Sequence, residues 1–301
     1  MPKPSRREFR RRQQKAVHQK TITVSLIFIG LAIFLNVGLM FQSHNPLFQE
    51  RNANPVNLVP NLFHSTSLSS QLRHQWKTDL KGESANVAIA VYSTKTGETY
   101  TYNTTPGHQY HTASTVKVAV LAGTLLKNDG DLDDQGREYA KAMIESSDND
   151  STTALINNYL GGSDGLQDTF NQFQMTNTHA KDAWGMTTTT PSDQIKLLNN
   201  IFFSSNKLTK TEQKYIRSLM NNVESDQRWG ISAGSNDYAL KNGWLDQDGS
   251  DKWIVNSIGY ISGQHQNDYT IAVYTDDNSS MNSGEELIEK LARSTKQIMD
   301  K

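Results

Sequence analysis

The spacing of apolar residues changes several times along the chain, and each spacing predicts a different element. Between residues 68 and 80 an apolar side chain recurs at every fourth position, which is typical of an amphipathic helix. Residues 87–92 and 98–102 are short β-prone runs separated by a glycine-containing turn, so they are predicted to form a β-hairpin. The stretch 114–126 is apolar nearly all round, which indicates a helix buried in the core.

The middle of the chain is predicted to be helical. Residues 139–160 form a helical stretch that the polar residues 146–151 interrupt. Thr190 followed by Pro191 is a typical helix start, and a capping box of Thr209 and Glu212 precedes another helix.

Strands return near the end of the chain, at residues 238–241, 253–261 and 269–274, and residues 287–298 form a closing amphipathic helix. This order of elements predicts an α+β fold. Its antiparallel β-sheet is assembled from both ends of the chain, is flanked by N- and C-terminal helices, and carries an inserted all-helical subdomain.

The first 66 residues differ in character from the rest. Residues 1–20 carry eight basic side chains and one acid, and residues 21–41 are almost wholly apolar and long enough to span a bilayer. We predict a basic cytoplasmic tail, a transmembrane anchor, an extracellular linker over residues 42–66 and a folded domain over residues 67–301. The positive-inside rule then places the N-terminus in the cytoplasm and the domain outside the cell membrane. A cleavable signal peptide is the alternative, but its apolar region is usually shorter.

Charge and composition restrict the function. Residues 1–20 carry a net charge of +7 and the whole chain a net charge of −1, so the remaining, exported part carries −8. A negative domain argues against a nucleic-acid partner. Cysteine is absent, so disulfides and thiolate metal sites are excluded. The eight histidines show no metal-ligand spacing.

Three short motifs carry the candidate chemistry. In chain order they are Ser114-Thr115-Val116-Lys117, Ser147-Asp148-Asn149 and Lys241-Asn242-Gly243. A serine and a lysine three residues apart lie on one face of a helix, and a lysine of depressed pKa can act as base for a serine nucleophile. The ordered set therefore indicates a serine acyl-transfer site that needs no histidine.

Two similar patterns are rejected. Ser204 and Lys207 repeat the serine–lysine spacing in a polar segment between helices, so the match is fortuitous. Residues 161–165 fit the Gly-x-Ser-x-Gly nucleophile pattern, which requires a preceding strand and a following helix. A helix precedes them here, so we predict a loop.

The ordered motifs resemble those of the penicillin-recognising serine hydrolases, and of class A β-lactamases most closely. The resemblance covers residues 85–300 and includes the segment 110–117 and the run Thr187–Pro191. It implies that Ser114 is the acylated nucleophile, that Lys117 is its base, and that Ser147 passes a proton to the leaving nitrogen under the influence of Lys241. The other implied residues bind substrate: Asn149, Asn242, Gly243, and the backbone N–H groups of Ser114 and Trp244 as the oxyanion hole.

The sequence departs from that family at important positions. Between Gly161 and Pro191 there is no glutamate to activate a deacylating water, and Asp182 is the acid nearest the expected place. Asn242 replaces a threonine or serine. We therefore expect a membrane-anchored β-lactamase-like hydrolase that is acylated readily and deacylates slowly, with no metal or organic cofactor.

Two alternatives remain open. One is a peptidase or esterase that acts on cell-wall stem peptides, and the other is a non-catalytic module that binds penicillin or the cell wall. The expected partners are β-lactam or D-alanyl-peptide-like molecules, with peptidoglycan as a further candidate.

Overall fold

The computed structural model describes residues 67–247 and 249–301, and the element bounds follow from hydrogen bonding within that part of the chain. The helices are α1 (Leu68–Asp79), α2 (Lys117–Lys127), α3 (Asp134–Glu145), α4 (Asn149–Leu155), α5 (Gly162–Gln172), α6 (Pro191–Phe202), α7 (Lys210–Asn221) and α8 (Met281–Met299). The strands are β1 (Asn86–Ser93), β2 (Thr99–Asn103), β3 (Tyr110–His111), β4 (Thr188–Thr189), β5 (Tyr238–Asp246), β6 (Trp253–Ile261) and β7 (Tyr269–Asn278).

The main sheet is antiparallel with strand order β2-β1-β7-β6-β5, so the N-terminal hairpin pairs with the last strand of the chain. β3 and β4 form a separate two-stranded pair. β5 is an edge strand of the main sheet, and one side of it is therefore free to face a cleft. The predicted α+β fold with a sheet built from both chain ends is confirmed.

Strand β1 contributes side chains to two hydrophobic clusters, one on each face of the main sheet. Val87, Ile89 and Val91 pack with the apolar faces of α1 and α8, whereas Ala88 and Ala90 belong to the cluster that contains the inserted helices. Successive strand residues point to opposite faces, so one buried strand serves both clusters. Small alanines on the second face let α6 lie close to the sheet.

The helix boundaries follow the capping signals in the sequence. Thr190 accepts a hydrogen bond from the N–H of Asp193, and Pro191 is the first residue of α6. Thr209 and Glu212 form the predicted capping box of α7. The predicted helix over residues 114–126 is split into a 3₁₀ turn at Ala113–Val116 and helix α2.

Two predictions of local structure are wrong. Residues 161–165 are not a loop, because α5 begins at Gly162, although a helical turn at Ile156–Leu160 rather than a strand precedes it. Lys241-Asn242-Gly243 lies in the middle of β5 and not at its end, because pairing with β6 continues to Asp246.

The predicted tail, anchor and linker over residues 1–66 lie outside the described residues. Within the described part of the chain, no helix is both long enough and apolar enough to cross a membrane.

Candidate active site

The candidate nucleophile lies on a constrained turn between β3 and α2. Ser114 belongs to the 3₁₀ turn Ala113–Val116 and is half-buried, and the Ala113 backbone before it has a left-handed φ of 46°. A non-glycine residue in that region is strained and persists only where its surroundings hold it. The surroundings are a main-chain hydrogen bond from Thr112 N to Thr187 O (2.8 Å) and the Asn256 amide, which donates to the carbonyl oxygens of His111 and Thr112.

A buried hydroxyl pair supports the same turn from the sheet. Thr115 Oγ1 donates to the carbonyl of Thr112 at 2.7 Å and lies 2.7 Å from Tyr274 Oη on β7. Because Thr115 already donates its hydroxyl hydrogen to Thr112 O, Tyr274 Oη is the donor in the hydrogen bond to Thr115 Oγ1. Burial raises the pKa of Tyr274, so the phenol stays protonated.

Lys117 begins α2 one turn after Ser114 and has no solvent exposure. Its Nζ donates to Ser147 O (2.6 Å), Ser147 Oγ (3.1 Å) and Asn149 Oδ1 (2.8 Å), and it lies 5.1 Å from the centroid of the Trp184 ring. Burial lowers the pKa of Lys117 from 10.5 to about 8, against the opposing effect of the Asp148 carboxylate. The amine is therefore easily deprotonated, as a general base near neutral pH must be.

Ser147 connects this lysine to a second one. Lys241 Nζ on β5 lies 2.9 Å from Ser147 Oγ and donates also to Asn242 O at 2.9 Å. Burial, and then the charge of Lys117, lower the pKa of Lys241 well below its ordinary value. Since the Ser147 oxygen accepts from the lysines, its own hydrogen is available to donate. Ser147 has a strained φ of 59° between α3 and α4, and this backbone directs the side chain to both amines.

Gly243 allows β5 to approach the nucleophile turn. A Cβ on this residue would lie 2.6 Å from Ser114 N, 2.8 Å from Thr115 N and 3.0 Å from Thr112 O, closer than any side chain permits. The glycine thus lets β5 lie against the backbone of the nucleophile turn, and Trp244 is the next residue on this edge strand. This packing role stands beside the predicted role of Gly243 in admitting substrate, which stays a prediction.

Asn242 faces away from the cleft. Its side chain is 1% exposed, and its Nδ2 donates to the carbonyl oxygens of Gln227 (2.9 Å) and Trp229 (3.0 Å). Both amide hydrogens therefore hold the segment that precedes β5, and the predicted contact between Asn242 and substrate stays a prediction that this orientation does not support.

These elements enclose a cleft of about 480 Å³. Its lining includes four of the predicted site residues, Ser114, Ser147, Asn149 and Trp244. It also includes residues that sequence reasoning missed: Ala113, Ser146, Ala183, Trp184, Gly185, Met186, Gln227 and Leu245. No motif marks Trp184 or Gln227 in the sequence, since both reach the cleft only through the folding of irregular segments.

Asp182 does not line this cleft. Its exposed side chain borders a separate cavity of about 310 Å³ with Lys181 and Gly162, and Trp184 stands between the two spaces. A role for Asp182 as a possible deacylating acid stays a prediction, and its place in a neighbouring cavity does not support it. In the part of the chain that the structure describes, no cluster of histidine, aspartate or glutamate is arranged to hold a metal ion.

Solved structures with the same fold are class A β-lactamases. TLA-1 extended-spectrum β-lactamase is 20% identical, with a TM-score of 0.68 over 78% of this chain and 100% of that one. A class A β-lactamase from Bacteroides cellulosilyticus is 16% identical, with a TM-score of 0.69 over 78% of this chain and 99% of that one. A β-lactamase from Chitinophaga pinensis is 15% identical, with a TM-score of 0.67 over 75% of this chain and 98% of that one. At these identities the likeness establishes a shared fold.

Sequence comparison is more specific. No curated protein matches the chain. The profile of the β-lactamase enzyme family matches residues 131–299, which is more than half of the chain and includes the second and third motifs. The chain therefore belongs to the β-lactamase enzyme family.

Proposed function

We propose that this protein is a serine acyl-transfer hydrolase of the class A β-lactamase type, which opens β-lactam amides through an acyl-Ser114 intermediate. The observation that carries the proposal is the position of Ser147 Oγ, within 3.1 Å of Lys117 Nζ and 2.9 Å of Lys241 Nζ in the cleft that Ser114 lines. A purely structural hydroxyl gains nothing from two fully covered amines, because burying an amine costs free energy.

In the proposed acylation step, Ser114 Oγ attacks the carbonyl carbon and its proton passes to the neutral amine of Lys117. The N–H groups of Ser114 and Trp244 stabilise the oxyanion, a contribution of about 10²–10³ in rate per donor in comparable sites. The C–N bond then breaks as Ser147 donates its proton to the departing nitrogen. Lys117 returns a proton to Ser147 across their 3.1 Å contact, so both side chains regain their starting protonation while the acyl group stays on Ser114.

We further propose that the acyl-enzyme is hydrolysed slowly. Among the described residues that line the cleft, none carries a carboxylate that could activate water. The half-buried Trp184 ring packs over Lys117, which limits the approach of water to that amine. A lasting β-lactam adduct would also fit a second candidate function, a peptidase or esterase that acts on cell-wall stem peptides by the same acyl-serine chemistry.

The test is to incubate the domain from residue 67 onward with a chromogenic cephalosporin, and to follow colour release and intact mass together. A burst of colour with a lasting adduct on Ser114 supports the proposal of slow deacylation. A burst followed by fast steady release would refute slow deacylation and leave acyl transfer intact.

Two serine variants test whether Ser114 is the nucleophile. Ser114→Ala is expected to abolish the adduct. Ser204→Ala is the matched control, because Ser204 and Lys207 have the same spacing on an exposed segment, and it should be labelled like the parent. Absence of both colour release and adduct on the parent protein would refute acyl transfer and favour the binding-module alternative.

The location of the domain outside the membrane is likewise a proposal, supported by the basic and apolar segments of the sequence. Protease treatment of intact cells that express the full chain tests it. Digestion of the domain without lysis is expected, and protection of the domain until lysis would refute it.

A further inference from the structure

Two neighbouring cavities meet at the side chain of Trp184. One is the Ser114 cleft, of about 480 Å³, and the other is the cavity of about 310 Å³ that Asp182 borders. The second cavity has five polar side chains in its lining: Thr153, Asn157, Ser163, Lys181 and Asp182. A polar cavity of this size holds several water molecules. Among the described residues, only Trp184 lines both cavities.

Hydrogen bonds hold Trp184 in this position through both its side chain and its main chain. The indole Nε1 donates to Thr153 Oγ1 on α4 at 3.3 Å. The main chain of Trp184 begins the 3₁₀ turn Trp184–Met186. His111 Nδ1 on β3 donates to Met186 O at 2.9 Å, and this bond joins the turn to the strand that precedes Ser114. The ring is therefore fixed relative to the nucleophile by contacts with α4 and with β3.

The indole ring also covers an amine that could activate water. In an acyl-enzyme, a water molecule must reach both the ester carbon on Ser114 and a base that takes its proton. Lys117 is such a base, because it lies one turn from Ser114 and burial lowers its pKa to about 8. The centroid of the Trp184 ring lies 5.1 Å from Lys117 Nζ, and Lys117 has no solvent exposure. The site therefore contains a base, and the ring keeps water away from it.

We propose that Trp184 sets the lifetime of the acyl-enzyme, because its ring separates acyl-Ser114 and Lys117 from the solvent of the polar cavity. The inference rests on the proposed acyl transfer by Ser114 and names the residue that controls its second half. With the ring removed, a water oxygen attacks the ester carbon and a water proton passes to neutral Lys117. The bond from that carbon to Ser114 Oγ then breaks, and Lys117 returns the proton to Ser114 Oγ. The products are the free carboxylic acid and the starting enzyme.

The rate at which the adduct is lost tests the inference. The full chain, Trp184→Ala and Trp184→Phe are acylated with one chromogenic cephalosporin, excess reagent is removed, and intact mass is followed over time. Trp184→Ala should lose the adduct at least about tenfold faster than the parent, a modest share of the roughly 10²–10⁴-fold that a positioned base contributes. Trp184→Phe is the matched control, because it keeps a ring over Lys117 and should retain the adduct as the parent does.

The outcomes separate this inference from the proposed function. Equal adduct lifetimes in Trp184→Ala and the parent would overturn the inference and leave acyl transfer standing, as would a parent that already loses its adduct rapidly. Absence of both colour release and adduct in all three proteins would overturn the proposed function itself.

Hydroxylamine distinguishes a barrier from a missing base. It attacks esters without help from a general base, so it reports only whether a small nucleophile reaches the ester carbon. It should shorten the adduct lifetime much more in Trp184→Ala than in the parent. An equal effect on both proteins would show that the ring is no barrier, and the inference would fail.

Thr153→Val tests the same partition with the indole still present, so the inference stays testable if Trp184→Ala folds poorly. Valine has the shape of threonine but cannot accept the hydrogen of Trp184 Nε1, so the ring loses its contact with α4. Adduct loss should become about two- to tenfold faster, the equivalent of one hydrogen bond of about 0.5–1.5 kcal/mol. The acylation rate should stay at the parental value, because Thr153 does not line the Ser114 cleft. A parental adduct lifetime in this variant would contradict the role of the anchored ring.

Discussion

Gly243→Ala tests how closely β5 must approach the nucleophile turn. The added Cβ would lie 2.6 Å from Ser114 N, whereas ordinary contacts begin at 3.4 Å, so the strand and the turn must separate by about 0.8 Å. Both neighbours are backbone, which cannot rotate away as a side chain can. Overpacking of this kind costs about 1–3 kcal/mol, and the reduced entropy of the unfolded chain returns about 0.4–1 kcal/mol. We expect a net loss of about 1–2 kcal/mol in the free energy of unfolding.

The effect on acylation should be larger than the effect on stability. The same separation moves the N–H of Ser114 away from that of Trp244, and a misplacement near 1 Å can cost about 10²-fold in rate. Urea unfolding measures the first effect, and stopped-flow acylation by a chromogenic cephalosporin measures the second. Gly185→Ala is the matched control beside the same turn, because its Cβ would lie at an ordinary contact distance of 3.9 Å from Ala113 Cα and Leu245 Cδ1. If Gly243→Ala retained parental acylation and stability, the argument from close approach would be refuted.

Three further predictions concern the lysine, the strained serine and the acid outside the cleft. The acylation rate should rise with pH and level off above about pH 8, because neutral Lys117 is the reactive form and burial lowers its pKa to about 8. A rate that keeps rising up to pH 10.5 would exclude Lys117 as the base. Ser147→Gly and Ser147→Ala should both lose acylation. In thermal unfolding the glycine variant should be more stable than the alanine variant by about 1 kcal/mol, since only glycine adopts a φ of 59° without strain. Equal stabilities would show that the backbone is not strained. Asp182→Asn should leave the rate of loss of the acyl adduct unchanged, because the exposed carboxylate borders another cavity; a slower loss would return Asp182 to the mechanism.

Local and repetitive features were predictable from the sequence by itself. The capping signals at Thr190 and Thr209 begin helices because side-chain oxygens satisfy the first backbone N–H groups wherever the helix lies in the fold. The alternating apolar strands and the order of elements specified an antiparallel sheet assembled from both chain ends. The spacing of Ser114 and Lys117 placed them one turn apart for the same local reason.

The tertiary structure decided which of these residues face one another. Ser147 Oγ meets Lys241 Nζ across 94 positions of the chain, and a distance of that kind has no local signal. Asn242 and Lys241 are adjacent on β5 yet point to opposite faces, so only the pairing of the strand shows that Lys241 reaches the site while Asn242 holds a distant loop. The irregular segment 182–186 likewise places Trp184 in the cleft and Asp182 outside it, because its path depends on what it packs against rather than on any periodic pattern.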